Sequence, residues 1–210
     1  DVCSSDLQSK GEAFAEMETK MAALGPGSDG LMAIGLLGGS SMPSNDNLRG
    51  MWMGYTWSHR PEHFYHALLE SITYDLSLPL ERIYALYPEL DAKTPVKMIG
   101  GGAKSPKWMQ MFADTEGREY VTIDRRDVSM WGTCLLAGNA VGIFPDIAEA
   151  AKQHVRSVRG YEPNPALRAA YLANRELYRE YLVELDGFYR RIAQRPAPGR
   201  QGCAAGMTEH

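Results

Sequence analysis

The feature that most limits what this chain can fold into is residues 96–110, V-K-M-I-G-G-G-A-K-S-P-K-W-M-Q. Val96, Met98 and Ile99 form a short apolar run of the kind that makes a buried strand. Gly100, Gly101 and Gly102 follow without a spacer. Consecutive glycines allow a turn closed to residues with side chains, and let a second group come close to the backbone. Ser105-Pro106 then starts a helix. Serine is a favoured N-cap, and proline suits the first helical position, where its missing N–H would be unpaired anyway. The spacing predicts that helix through Trp108, Met109, Met111 and Phe112 to a stop at Gly117. The unit is strand, glycine turn, helix N-terminus, with free N–H groups suited to a polar or anionic ligand. It is neither a G-x-x-x-x-G-K-[ST] loop nor a G-x-G-x-x-G fingerprint. On these residues alone, a ligand turn and a tight strand–helix packing both remain open.

The 210 residues give room for one domain with a real core. A formal net charge of −4 provides no basic surface for nucleic acid. No apolar run approaches the ~20 residues that cross a bilayer, so no membrane partner is expected. The polar, acidic first residues do not read as a secretory signal. Cys3, Cys134 and Cys203 are far apart with no C-x-x-C, which argues against zinc or a disulfide framework and suits a reducing cytoplasm.

Residues 9–24 read as an amphipathic helix with Phe14, Met17, Met21 and Leu24 on its apolar face. A Gly-Pro-Gly turn, a strand at 31–37 and a loop at 38–47 follow. A second strand is predicted at 51–57, with Trp52 and Tyr55 packed in the core. Pro61 opens a long helix whose buried face is Phe64, Ala67, Leu68, Ser71 and Ile72. Pro79 should kink or interrupt it, and Pro88 should end it. His59, His63 and His66 have a spacing that could gather three imidazoles. His59 precedes Pro61, however, and nothing completes a four-ligand set, so solvated histidines and no metal site are expected. Glu70, beside the apolar face, is expected to partner a backbone N–H or an arginine.

Beyond the central unit, 118–123 reads as a strand and 124–127 as a charged loop. Ser129 is the expected cap of a helix at 130–141, crowded with small residues. A short helix at 146–154 and a linker at 161–165 precede a long helix at 167–192. Leu167, Tyr171, Tyr178, Tyr181, Leu185, Phe188 and Ile192 form one stripe on it. That stripe docks on the domain body or meets a partner, so a homodimer stays open. From residue 195 on, Pro, Gly and Ala predict a disordered tail.

G-G-G-A-K-S-P-K-W-M-Q-M-F-A-D resembles the adenosine-contacting segment of the FGGY carbohydrate kinases. Three further blocks resemble that family in order: R-G-M-W-M-G at 49–54, H-A-L-L-E-S-I at 66–72, and V-S-M-W-G through L-A-G-N-A-V-G at 128–142. The resemblance implies an α/β fold: an actin-like (ribonuclease-H-like) ATPase domain, the C-terminal half of a sugar kinase, closed by the long C-terminal helix. It implies ATP as phosphoryl donor and magnesium carried by the nucleotide's phosphates, with no protein ligand assigned. It implies that Gly100, Gly101, Gly102, Ala103, Lys104 and Ser105 bind the nucleotide. The sugar partner, the general base and the phosphate-binding hairpins belong to a part of the family upstream of this chain, so no catalytic residue is named here. Asp114 and Asp127 are the nearest acids and receive no role. Ser40-Ser41 stand where the family usually has a Glu-Arg pair.

The expected organisation is a non-native segment at 1–8, which resembles a translated sequencing-adapter tail, the nucleotide-binding domain at 9–194, incomplete at its start, and the tail at 195–210. The expected parent is a xylulokinase-like enzyme acting on D-xylulose or another pentulose. The alternative is a non-catalytic actin-like module that binds a nucleotide or a partner. The chain alone is expected to be inactive.

Overall fold

A computed structural model describes residues 4–41, 44–90, 94–124 and 127–195. Most of the predicted tail, the first three residues, Cys3, Cys203 and Arg125-Arg126 lie outside them. Among the described residues no helix is long and apolar enough to cross a membrane.

The organising element is α2 (Pro61–Leu86), entered through Pro61 in the first turn. Its N-terminus is closed locally, because the Arg60 N–H donates to His63 Nδ1 at 3.1 Å. Pro79 was expected to kink or interrupt it, and the helix is not interrupted there. The reason lies in tertiary contacts on both sides of the proline. Arg175 donates to Ser77 Oγ at 3.0 Å and to Glu81 Oε1 at 3.3 Å, which holds the two flanks in line. α1 (Ser4–Met21) starts earlier than predicted and packs along α2 through the buried Met21. Phe14, assigned to its apolar face, is 59% exposed.

β1 (Met32–Ile34) pairs antiparallel with β4 (Met51–Met53), and α2 covers one face of the pair. The predicted strand at 51–57 is therefore only three residues long. Trp52 and Tyr55 are 40% and 66% exposed instead of buried, because a two-stranded ribbon under one helix has no second layer to cover them. The loop at 38–47 contains a small hairpin, β2 (Ser40–Ser41) with β3 (Ser44–Asn45).

The central unit has the predicted order of elements, but Ile99, expected in the buried strand, lies past its end and is 53% exposed. β5 (Val96–Met98) leads through the glycines into α3 (Pro106–Glu116), which crosses to β6 (Tyr120–Ile123), parallel to β5. Val96 and Met98 are only half-buried, since β5 is an edge strand. On the other side β6 pairs antiparallel with β7 (Ser157–Tyr161), a strand in a stretch not assigned to one from the sequence. The presumed linker thus begins inside the sheet, at the buried Tyr161. Phe112 stacks on Trp108 and on Tyr120, at 5.7 and 5.5 Å between ring centres, and fixes α3 to the sheet.

α4 (Val128–Ala140) is capped by Asp127 and not by Ser129. Asp127 Oδ1 accepts the Met130 N–H at 3.0 Å, so the helix starts early enough to include Ser129. Gly138 of α4 lies under the Phe144 ring just before α5 (Ile147–His154). The long C-terminal helix is present as α6 (Pro165–Glu184), and its final turns continue as α7 (Asp186–Ala193) after a break at Leu185. Tyr171 and Tyr178 dock α6 on the body, as the stripe implied. The buried stripe continues across the break: Tyr189, about five helical turns beyond Tyr171, is buried, while Phe188, assigned to the stripe from the sequence, is 42% exposed.

Candidate functional site

The turn between β5 and α3 is built as its residue types require. Gly100 closes β5 at φ 92°, ψ −166°, a conformation that side-chain-bearing residues avoid. Residues Gly101–Lys104 form one 3-10 turn. Ser105 caps α3, its hydroxyl oxygen accepting the Trp108 N–H at 3.1 Å, and Pro106 fills the first helical position. Gly117 ends the helix in the left-handed conformation, its N–H donating to Ala113 O at 2.8 Å.

The three glycines do three different things. Gly100 supplies the backbone conformation. Gly102 makes room for an indole, since a Cβ there would lie 2.7 Å from the Trp108 ring. Gly101 would meet nothing within 4 Å, as is also true of Gly100, so the turn has open space in front of both.

Two clefts flank this turn. One, of about 730 Å³, is walled by Phe14, Tyr65 and Trp108, with Glu18, Gly101, Gly102, Lys104 and Ser105 at its edge. The other, of about 680 Å³, lies at the ends of β5 and β6, between Gly100, Ala103, Lys104, Thr122, Asp124 and Val158. All six residues singled out in the sequence therefore border open space, and Lys104 borders both clefts. The turn is not plugged by its neighbours.

Sequence reasoning missed Glu18, which sets the electrostatics of the first cleft. The Ser105 hydroxyl donates to Glu18 Oε1, and Glu18 Oε2 accepts the Lys107 N–H at 3.4 Å. A carboxylate from α1 thus occupies the positive end of α3. The reciprocal contact comes from Lys107, whose Nζ donates to Leu24 O at 2.8 Å, just past the end of α1. Partial burial pushes the Lys107 ammonium below its ordinary pKa. The Trp108 indole N–H is committed to Thr73 Oγ1 at 3.0 Å. A sequence signal existed: Phe14 and Glu18 are four residues apart and so share one face of α1.

The other sequence candidates resolve as structural. Glu70 is 3% exposed and accepts the Gly27 N–H at Oε1 and the Ser28 hydroxyl at Oε2, both at 2.7 Å, the backbone partnership expected of it. The histidines are not a solvated set. His66 is fully buried, with Nδ1 2.8 Å from Ser28 Oγ, because it lies on the same face of α2 as Glu70. His63 meets the Asp29 carboxylate at 3.2 Å, and His59 Nδ1 accepts the Thr56 N–H at 2.7 Å. Among the described residues no three His, Cys, Asp or Glu converge on a metal-sized site. Asp114 is buried and accepts from Gln110 Nε2 and the Asn164 N–H, which ties α3 to the start of α6. Neither Asp114 nor Asp127 borders either cleft.

A parallel strand, a glycine turn and a capped helix beside an open cleft are the parts of an α/β architecture. Residues 3–141 match the FGGY family of carbohydrate kinases, C-terminal domain, and the chain belongs to that family. Its fold is accordingly the actin-like ATPase fold. It is 29% identical over 170 residues to a xylulose kinase of Bacillus subtilis, covering 80% of this chain and 33% of the relative. A ribulokinase of Halalkalibacterium halodurans is 31% identical over 193 residues, 88% of this chain and 33% of the relative. A gluconokinase of Bacillus subtilis is 36% identical over 140 residues, 66% of this chain and 26% of the relative. Among solved structures, a ligand-bound xylulose kinase of Lactobacillus acidophilus superposes with a TM-score of 0.66 at 25% identity, over 86% of this chain and 36% of that one. A gluconate kinase of the same organism gives 0.69 at 25% identity, with the same coverage. The chain spans about a third of the length of the curated relatives it matches.

Proposed function

We propose that this chain is the ATP-binding, C-terminal portion of a carbohydrate kinase that transfers the γ-phosphoryl group of ATP to a sugar hydroxyl. The acceptor is D-xylulose or another pentulose, in keeping with relatives named xylulose kinase and ribulokinase. The open turn carries this reading: Gly101 faces empty space beside a cleft walled by three aromatic rings, which suits a planar base over a glycine backbone. Gly100, Gly101, Gly102, Ala103, Lys104 and Ser105 hold the nucleoside. Lys104, on the border of both clefts, is a cation available to its phosphates, and magnesium enters with those phosphates. The enzyme works in the cytoplasm. A gluconate acceptor is the second reading, favoured by the 36% identity to a gluconokinase.

Phosphoryl transfer is achieved by positioning and by stabilising charge, and needs a base placed at the acceptor hydroxyl. Among the described residues Glu18 is the acid bordering the first cleft and Asp124 the acid bordering the second; Glu18 is bound to Ser105 and to the Lys107 N–H, and Asp124 accepts the Arg156 N–H at 3.1 Å. The chain by itself therefore binds nucleotide weakly and transfers nothing. The test is a coupled phosphoryl-transfer assay with D-xylulose, L-ribulose and D-gluconate, run on this chain and on a full-length protein that contains it. Turnover of a pentulose by the longer protein and none by the chain is the expected result. Turnover by the chain alone, or no turnover of any sugar by the longer protein, overturns the proposal.

A further inference from the structure

We propose that α1 is a strap along the first cleft, anchored at its C-terminal end and drawn into order when that cleft fills; the inference rests on reading the cleft as the nucleotide site. The anchors lie in its last turn or just beyond it. Met21 is fully buried. Glu18 accepts the Ser105 hydroxyl, and also the Lys107 N–H at 3.4 Å. Lys107 Nζ donates back to Leu24 O at 2.8 Å. Ahead of these anchors, residues 11–16 are all exposed. Phe14 meets the body through a tilted ring contact with Tyr65, 6.3 Å between centres, and is itself 59% exposed.

A helix in a folded protein is held mainly by the packing of an apolar face, and a stretch of about 12–15 residues is marginal without it. Residues 4–17 of α1 are about that long, and Gly11 in their middle weakens the helix further. Few buried contacts put this stretch among the parts that open locally at little cost. The same stretch forms one wall of the cleft. Gly11, Phe14, Ala15 and Glu18 are three or four residues apart, and that face borders the space shared with Tyr65, Gly101 and Trp108. A flat ring lodged against Phe14 adds apolar contact to the part of α1 that is poorest in it. Ligand and strap therefore stabilise each other, and the fraction of chains with α1 formed sets the apparent affinity.

Gly11→Ala and Ala15→Gly are the probes. Both residues lie on α1 and border the cleft, and the two changes move helix propensity in opposite directions. A Cβ at Gly11 meets nothing within 4 Å, so the added methyl disturbs no packing. The 210-residue chain is titrated by calorimetry with ATP and magnesium to millimolar concentration. Gly11→Ala should bind ATP about two- to fivefold more tightly and Ala15→Gly about two- to fivefold more weakly, the range set by the alanine–glycine propensity difference. Control by the width of the cleft gives the reverse order, since the alanine narrows it and the glycine widens it. Hydrogen exchange should show the amides of residues 8–17 slowing on addition of ATP by more than those of α6. Circular-dichroism melts establish that both variants fold. A chain that binds ATP with exchange in α1 unchanged, and with both variants at the parent affinity or in the reverse order, overturns the strap and leaves the nucleotide site standing. A parent chain that binds no ATP overturns the site itself, and the strap with it.

Discussion

The Ser28 hydroxyl donates to the buried Glu70 carboxylate at 2.7 Å, joining residues 42 positions apart. Ser28 and its neighbour Asp29 sit at φ 47° and 54°, left-handed conformations that ordinary residues avoid. The same carboxylate also receives the Gly27 N–H, so one side chain of α2 holds the whole turn that launches β1. Replacing Glu70 by alanine takes the acceptor from the part-buried Gly27 N–H and leaves the buried Ser28 hydroxyl only His66 Nδ1. The expected loss is on the order of 3 kcal/mol, read as a melting temperature about 6–12 °C lower. Glu70→Gln keeps one acceptor and should lose less. A Glu70→Ala protein that melts with the parent would show that the turn holds itself.

The glycine turn makes a three-way prediction. Gly100→Ala forces a side chain into a glycine-only region and should destabilise by about 1–3 kcal/mol. Gly102→Ala should also destabilise, because the Trp108 ring must move. Gly101→Ala should change stability by less than about 0.5 kcal/mol, since its Cβ points into open space, yet weaken nucleotide binding. Chemical denaturation paired with ATP titration separates the three. Equal stability losses at Gly100 and Gly101 would contradict the assignment.

Glu116 predicts a pH dependence. Burial raises its carboxyl pKa above the ordinary 4.5, with a hydrogen bond from Ser77 and then the guanidinium groups of Arg175, Arg118 and Arg168 pulling the other way, and Oε1 is buried without a hydrogen-bond partner. The folded state therefore holds this proton more tightly than the unfolded state. Its contribution to stability is fully present below pH 4.5 and is lost as the pH rises through the raised value. Glu116→Gln removes that loss. Urea denaturation from pH 4.5 to 8 should show a variant whose stability falls less with pH than the parent's, and parallel curves would refute it.

Tyr189 is fully buried, and its hydroxyl has no partner in the structure. Tyr189→Phe should be neutral to stabilising by about 1 kcal/mol, with a melting temperature up to about 4 °C higher. A clear loss of stability would mean that the hydroxyl is satisfied in solution.

The parts legible in the sequence are those whose signal is local. Ser105, Pro106 and Gly117 mark the ends of α3 because capping depends on residues three or four apart. β7 was missed because S-V-R-G-Y shows no alternation; four of its five residues are exposed, and it is held by backbone pairing to β6. Trp52 and Tyr55 misled because aromatic alternation signals a strand without saying how many layers cover it. The three-residue step from Leu185 puts Phe188 on the apolar stripe, but Tyr189, about five whole helical turns beyond Tyr171, is the buried one. Within the site, the turn was legible and its partner was not. Glu18 lies 87 residues from Ser105, and only the packing of α1 brings them together.

Trp108 has an optical consequence. It is the one indole of the four that walls the slot, and its ring faces Gly102 from inside. With Trp52, Trp57 and Trp131 changed to phenylalanine, all emission would come from that position. The chain would then carry a built-in fluorometer, dimming or brightening as the slot fills, with no label attached.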